Sequence, residues 1–436
     1  MLRRQAHVVC PGDPDYRWVR AGYSRRNSSG PARIVFASEI EHIIDTVLQC
    51  KKLGEQLSVR SSGYGQADSF FGPGAVVLDV SRLNTVMTSR SADTVTVGAG
   101  AQALAVADVL SAKSSRVPMG MHPGVSLVGM ALAGGIGMSS RALGLTCDSL
   151  LEAAMIDSDG NLVRASETTN PDLFWALRGG GCAGFGIITS MLFRTCPSGP
   201  VVLFSISWPR HHASSVFEAW QEWAPMADSR MSCSLSLPSA ENHPIYVDGQ
   251  FFGTEHRLLA LLSPMLRAGS ALAIDTRTVP QREAVRAFSE LKGPHPMFRC
   301  GATLAQPLAA DAVRDMVSHV NQSPTETCIR AIALGGAVGE PAADSCAFPW
   351  RNSLFMLEAT VHWSSRISEP AALDWWAQLR GILDPNAEGA YAGWPDPVVD
   401  DWLTAAYGRN LSRLRRIHAR WDPYNVFKHR FGLGWA

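Results

Sequence analysis

The sequence predicts an α+β fold, and three observations carry that reading. Up to about residue 197, short apolar strands mix with helices and glycine-rich loops. From PSGPVV (197–202) to about residue 390, longer strands alternate with amphipathic helices, among them ASSVFEAWQEWA, EHRLLALLSPML, ADAVRDMVSHV and AALDWWAQLRGIL. The stretch RNSLFMLEATVHW (351–363) alternates most clearly. Phe355, Leu357, Ala359, Val361 and Trp363 fall on one face, and Glu358, Thr360 and His362 on the other. One face is expected on helices and the other toward solvent or a pocket.

The elements follow in order. Ser38 and Glu41 have capping-box spacing ahead of Ile40, Ile43, Ile44, Val47 and Leu48, and Gly54 supplies the stop. QLSVR is a short strand running into RSSGYG (60–65). AVVLDV (75–80) and DTVTVG (93–98) are further strands, and AQALAVADVL (101–110) is helical. DSDGN (157–161) between EAAMI and LVRA is a hairpin turn. NPDLFWAL (170–177) is a short helix and FGIITSMLF (185–193) returns as a strand.

The 436 residues suit two domains or one large fold, and 46% hydrophobic content supplies a sizeable core. Lys plus Arg and Asp plus Glu are both 39, so no basic excess is available to neutralise a nucleic-acid backbone. Nine cysteines without a CxxC pair suggest free thiols. No signal-like apolar stretch follows Met1, and no run of about 18 apolar residues occurs. A reducing cytoplasm is the expected setting, without membrane or nucleic acid as partner.

Three glycine segments bear on function. GAGAQA (98–103) fits GxGxxA but lacks an acidic residue about 20 positions on. GGGCAG (179–184) fits GxGxxG but follows a helix. The third, GMHPGVSLVGMALAGGIG (120–137), concentrates Gly120, Gly124, Gly129, Gly134, Gly135 and Gly137. Such glycines let backbone approach a phosphate, or else form a tightly turning core segment. Ser126 lies outside a GxSxG context, and His211 and His212 show no metal spacing.

Taken together, RSSGYG, LDVSRLN, VGAGA, the 120–150 segment, DLFWALRGGGCAGFGIITS, ALGGAV, AFPWR and YGRNLSRLRRIHARWDPYNVF resemble the berberine-bridge-enzyme-like oxidases of the vanillyl-alcohol-oxidase superfamily, in family order along nearly the whole chain. The resemblance implies a two-domain PCMH-type FAD-binding fold. Residues 1–198 and 395–436 would hold FAD, and 199–394 would form a substrate domain whose antiparallel sheet, covered by helices, lies over the isoalloxazine ring. It assigns cofactor contacts to Arg60, Ser61, Ser62, Gly63, Tyr64, Gly65, Gly120, His122, Gly124 and Val125. Gly129, Gly134, Gly135 and Gly137 would follow the pyrophosphate and ribityl chain. Gly144, Asp148 and Ile187 would lie near the adenosine half, and Asn425 would contribute from the tail.

The chain departs from that family at three chemical positions. Tyr64 stands where members commonly carry a flavin-linked histidine, and His122 where many carry a flavin-linked cysteine. Trp394, in Tyr391-Ala392-Gly393-Trp394, stands where many carry an acid–base tyrosine. Non-covalent FAD is the expectation, with Tyr64 and His122 against the ring edge. A tyrosyl link or a histidine tether is the alternative. With Trp394 unable to move protons, Glu358 and His362 are the candidate acid–base groups, and Tyr246, Asp248 and Gln250 a second set. The expected activity is oxidation of a small, fairly apolar natural-product intermediate, with O₂ as reoxidant and the chain a monomer or homodimer. A redox-neutral cyclase with structural FAD is the alternative, and a flavin-free binding protein a third class. No metal is expected.

Overall fold

Val76–Asp79 lies between Arg33–Phe36 and Leu57–Arg60 and runs parallel to both, which is why AVVLDV is apolar without alternation. His7–Val9 adds an antiparallel edge beyond Arg33–Phe36 and completes a four-stranded sheet. In this computed structural model the described residues are 5–23, 30–65, 74–240, 243–288, 297–304, 306–363 and 369–434. Helix Ile40–Leu53 covers this sheet with Ile43, Val47 and Cys50, and Gly54 ends it in the left-handed region at φ 67°. The expected Ser38–Glu41 capping box does not form. Glu39 is the N-cap and makes no side-chain cap, while His42 Nδ1 accepts from the Ser38 backbone N–H at 3.3 Å.

A second, antiparallel sheet runs in the order Val86–Thr88, Thr94–Gly98, Ile187–Arg194, Leu150–Ile156, Leu162–Ser166. DSDGN forms the expected hairpin turn, with Asp157 Oδ1 accepting from Asp159 N at 2.9 Å and Asn161 N at 2.8 Å. Ile156 and Ile187 pack against Leu57, Val76 and Leu78 of the first sheet. Val426 and Phe427 from the tail enter the same cluster.

The third sheet is antiparallel, in the order Ala273–Val279, Val201–Trp208, Ile245–Phe251, Met231–Pro238, Thr327–Ala333, Phe355–His362, Met297–Leu304, Ala387–Ala390. Phe355, Leu357, Ala359, Val361 and Trp363 join the core beneath helices Ala213–Trp223, Glu255–Leu266, Ala310–Asn321 and Glu369–Leu383, as the alternation predicts. Met356, from the opposite face, packs instead with Ala133, Ile136, Leu145 and Tyr391. The sheet therefore turns its uncovered face toward the 120–148 segment. The observed architecture is the α+β fold that the alternation implies.

Among the described residues, no helix is long and apolar enough to cross a membrane.

Candidate active site

RSSGYG leaves the end of strand Leu57–Arg60 and is tied down by its small polar residues. Ser61 Oγ donates to Ala99 O at 2.7 Å, and Ser62 Oγ accepts from Ser126 N at 2.9 Å. Ser126 Oγ also donates to Ala99 O at 2.7 Å and caps helix Leu127–Leu132 by accepting from Gly129 N at 3.3 Å. One backbone carbonyl thus fastens the loop and the first turn of that helix together.

Beside them opens a cavity of about 350 Å³. Of the residues assigned by sequence, Ser61, Ser62, Gly63, Tyr64, Gly65, Gly120, His122, Val125, Gly129 and Gly135 line it. Tyr64 and His122 have ring centroids 4.5 Å apart, and Tyr23 stacks on Tyr64 at 5.0 Å. Burial raises the Tyr64 phenol above its ordinary pKa. His122 Nδ1 accepts from Gly124 N at 3.0 Å. That bond selects the neutral tautomer with its proton on Nε2.

Gly129 is exposed although its helical neighbours Val128 and Met130 are buried, and a Cβ there would meet only Ser126 Cβ, at 3.9 Å. Gly134 and Gly135 behave differently. Their backbones are left-handed, at φ 109° and 87°, and added Cβ atoms would lie 3.1 Å from the Phe348 ring and 2.2 Å from Thr146 Oγ1. Those two glycines are required by the protein's own packing before any ligand is considered.

The other assigned residues stand outside the lining, each with a structural partner. Arg60 pairs with Asp79 at 2.6 Å, and Ile187 is fully buried between sheets. Gly124 lies beneath Tyr64, and a Cβ at Gly137 would strike Met119 O at 2.0 Å. Asp148 receives Arg351 at 2.6 and 2.8 Å and Leu145 N at 2.8 Å, with Gly144 turning beside it. Cys147 and Cys346 approach Asp148 there, but the Arg351 guanidinium in the same cluster opposes cation binding. Asn425 adopts φ 50° in the turn that carries the tail inward.

That tail lays Phe427 beside Leu57 as a parallel bridge. Leu57 N donates to Val426 O at 3.2 Å, Lys428 N to Leu57 O at 3.0 Å, and Ser58 Oγ to Lys428 O at 2.8 Å. Phe427, Lys428, His429 and Phe431 thereby join the cavity wall. Burial lowers the His429 imidazole from its ordinary 6.5 to about 4. The loop after Pro171–Gly180 adds Gly181, Cys182, Gly184 and Gly186, and burial pushes the Cys182 thiol up to about 11.

At the far end the cavity reaches the uncovered face of the third sheet. Arg330 lines it, with Trp394, Tyr391 and Phe288. Tyr391 Oη accepts from Gly135 N at 3.1 Å, and burial raises the phenol's pKa despite that bond. Trp394 packs edge-on against Tyr391 at 5.2 Å. Glu358 is not in the lining; it is 2% exposed, with Oε1 3.7 Å from Arg330 Nη1. His362 is half-buried at the end of the same strand and also lies outside the lining. Tyr246 and Asp248 occupy the same sheet face, and burial raises both pKa values. Sequence reasoning passed over Arg330 and His429. Arg330 was the detectable one, as the lone cation in the apolar strand TCIRAIA.

The comparisons with known proteins fit this geometry. The FAD binding domain family matches residues 31–166, and the berberine and berberine-like family matches 390–433. The uncharacterized FAD-linked oxidoreductase YgaK of Bacillus subtilis (strain 168) is 32% identical over 97% of this chain and 95% of its own. The chain belongs to the berberine-bridge-like FAD-linked oxidoreductases. The xylooligosaccharide oxidase of Thermothelomyces thermophilus is 30% identical over 96% of this chain and 90% of its own. BBE-like 1 of Physcomitrella patens, 24% identical, superposes with a TM-score of 0.91, covering 97% of this chain and 96% of that one. FAD is the cofactor of this family, and the cavity suits it. Gly129 leaves room where a side chain would intrude. The buried His429 Nδ1 in the wall has no hydrogen-bond partner among the described residues, so it offers a polar atom to a ligand.

Proposed function

We propose that this chain oxidises a small natural-product intermediate, using FAD held without a covalent bond. One observation carries the reading: a single cavity runs from the RSSGYG and 120–135 segments to Arg330 and Trp394 on the central sheet. When bound, FAD supplies the two-electron acceptor for a hydride, and O₂ is the proposed reoxidant. The protein supplies position and proton transfer. Trp394, Tyr391 and Phe288 offer apolar contact to the body of the substrate, and Arg330 anchors its oxygen function. Glu358, behind Arg330 and outside the lining, is the proposed acceptor of the hydroxyl proton, passed through an intervening water as the adjoining C–H bond gives up its electron pair. Tyr64 and His122, which line the cavity with ring centroids 4.5 Å apart, would hold the cofactor there. His362, at the strand end, has no role in this scheme.

In domain terms we assign 1–198 and 395–436 to the flavin unit and 199–394 to the substrate unit. The change from the first two sheets to the third between Arg194 and Val201 supports that division, as does the tail's bridge to Leu57.

Trp394 favours a second reading. No proton can be taken by an indole, and the Tyr391 hydroxyl beside it is occupied by Gly135 N. A redox-neutral cyclisation, with FAD shaping the pocket, needs neither group. Anaerobic mixing of the flavin-loaded protein with a panel of xylobiose, aromatic alcohols and polyketide alcohols separates the two. Loss of oxidised-flavin absorbance, with a product lighter by two hydrogens, supports the oxidase. Turnover of a panel member to a product of unchanged mass, with the flavin still oxidised, rejects it.

A further inference from the structure

The third sheet ends on an open strand. Ala273–Val279 pairs with Val201–Trp208 on one side, and among the described residues no strand pairs with its other side. Six of its seven residues are exposed or half-buried, and it contains neither proline nor a register break. A regular, uncovered edge of this kind presents backbone donors and acceptors ready for another strand. Leu272, just ahead of it, is 62% exposed, and Ile274 within it is 45% exposed. Solvent-facing aliphatics on an edge are the opposite of the usual protection by lysine or proline.

The sequence of the strand, AIDTRTV, is complementary to itself. Antiparallel pairing about a twofold axis at Thr276 places Asp275 opposite the second copy's Arg277, and Arg277 opposite its Asp275. Asp275 and Arg277 pair in register with Ser205 and Leu203, so both lie on the face away from Phe204 and Ile206. Neither has an ionic partner among the described residues. On the other face the same register sets Ile274 against Thr278 of the second copy, and Leu272 against its Pro280. Pro280, lacking an N–H, ends the ladder.

We infer that this edge is a homodimer interface, in which two copies join their eight-stranded sheets through Ala273–Val279. The interface is isologous, so each favourable cross-strand pair occurs twice. It lies at the far edge of the sheet from Ala387–Ala390.

Sedimentation of the flavin-loaded protein over a concentration series tests it. A dimer is expected. Asp275→Arg alone, or Arg277→Asp alone, sets like charges opposite one another twice and should raise the dimer dissociation constant about tenfold or more. The double variant Asp275→Arg/Arg277→Asp restores opposite pairs and should restore the dimer. Flavin content reports that each variant is folded. Thr276→Cys places a thiol on the axis, facing its own copy, and should give a disulfide dimer on mild oxidation where the parent protein gives none. A monomeric parent, single variants as dimeric as the parent, a double variant that stays dissociated, or no crosslink through Thr276→Cys would each overturn the proposal.

Discussion

His122 Nδ1 accepts the backbone N–H of Gly124 at 3.0 Å, which commits that lone pair inside the loop. The remaining nitrogen carries the proton and is a poor nucleophile. Tyr64, with its phenol raised in pKa by burial, is a poor one as well. The purified protein should therefore be yellow and should release its FAD into the supernatant on acid precipitation. Flavin retained on the precipitated chain would show a tether through one of these two residues.

The glycines should divide into two classes. Gly129→Val fills cavity space without striking protein, so the variant should fold with a near-native melting temperature and contain little FAD. Gly135→Val must adopt φ 87° and displace Thr146, which costs on the order of 3 kcal/mol, and Gly134→Val faces the Phe348 ring. Both should lose stability before their flavin content can be judged. Melting temperatures beside the absorbance ratio of flavin to protein give the comparison.

Glu358→Gln keeps shape and removes the charge beside Arg330. As general base its loss should lower the turnover of the flavin-loaded enzyme by about 10²-fold or more. Circular dichroism should be unchanged. Full activity would assign Glu358 to holding Arg330 in place, and proton removal would have to come from another group.

Acid should loosen the tail. His429 is depressed to about 4 in the folded protein against an ordinary 6.5, and burial depresses His418 too. Below pH 6.5 the unfolded chain takes up protons that the folded chain refuses, so stability falls as pH drops toward 4. The slope approaches about 1.4 kcal/mol per pH unit for one such group. Asp422, raised by burial, contributes with the opposite sign, above its ordinary 3.8. Melting temperature and flavin retention should both decline from pH 6.5 to 4.5. His429→Gln should flatten that decline.

Much of the fold was legible because periodicity reports burial directly. The alternation in 351–363 placed Leu357 and Ala359 under helices and Glu358 on the other face, as observed. The glycine-rich segments were legible as sites of close approach, but what approaches was not. Gly134 makes room for Phe348 and Gly124 lies under Tyr64, contacts between residues far apart in the chain that no local pattern encodes. Arg330 and His429 acquire meaning only when a central strand of the third sheet and a distant tail bring them to one wall. The Ser38 cap failed for a local reason, since the His42 imidazole competes for the same backbone donor.

The clasp between Ser58 and Lys428 spans 370 positions of sequence. During synthesis the strand bearing Ser58 leaves the ribosome long before the segment that will cover it. For that interval the cavity lacks one wall, because Phe427, His429 and Phe431 have yet to emerge. Completing the cavity is thus tied to the emergence of residues 427–431, and closing so long a loop is an inherently slow step. Until the tail is laid down, Leu57 and its neighbours Val76 and Leu78 lack the cover of Val426 and Phe427 and are open to proteases and chaperones.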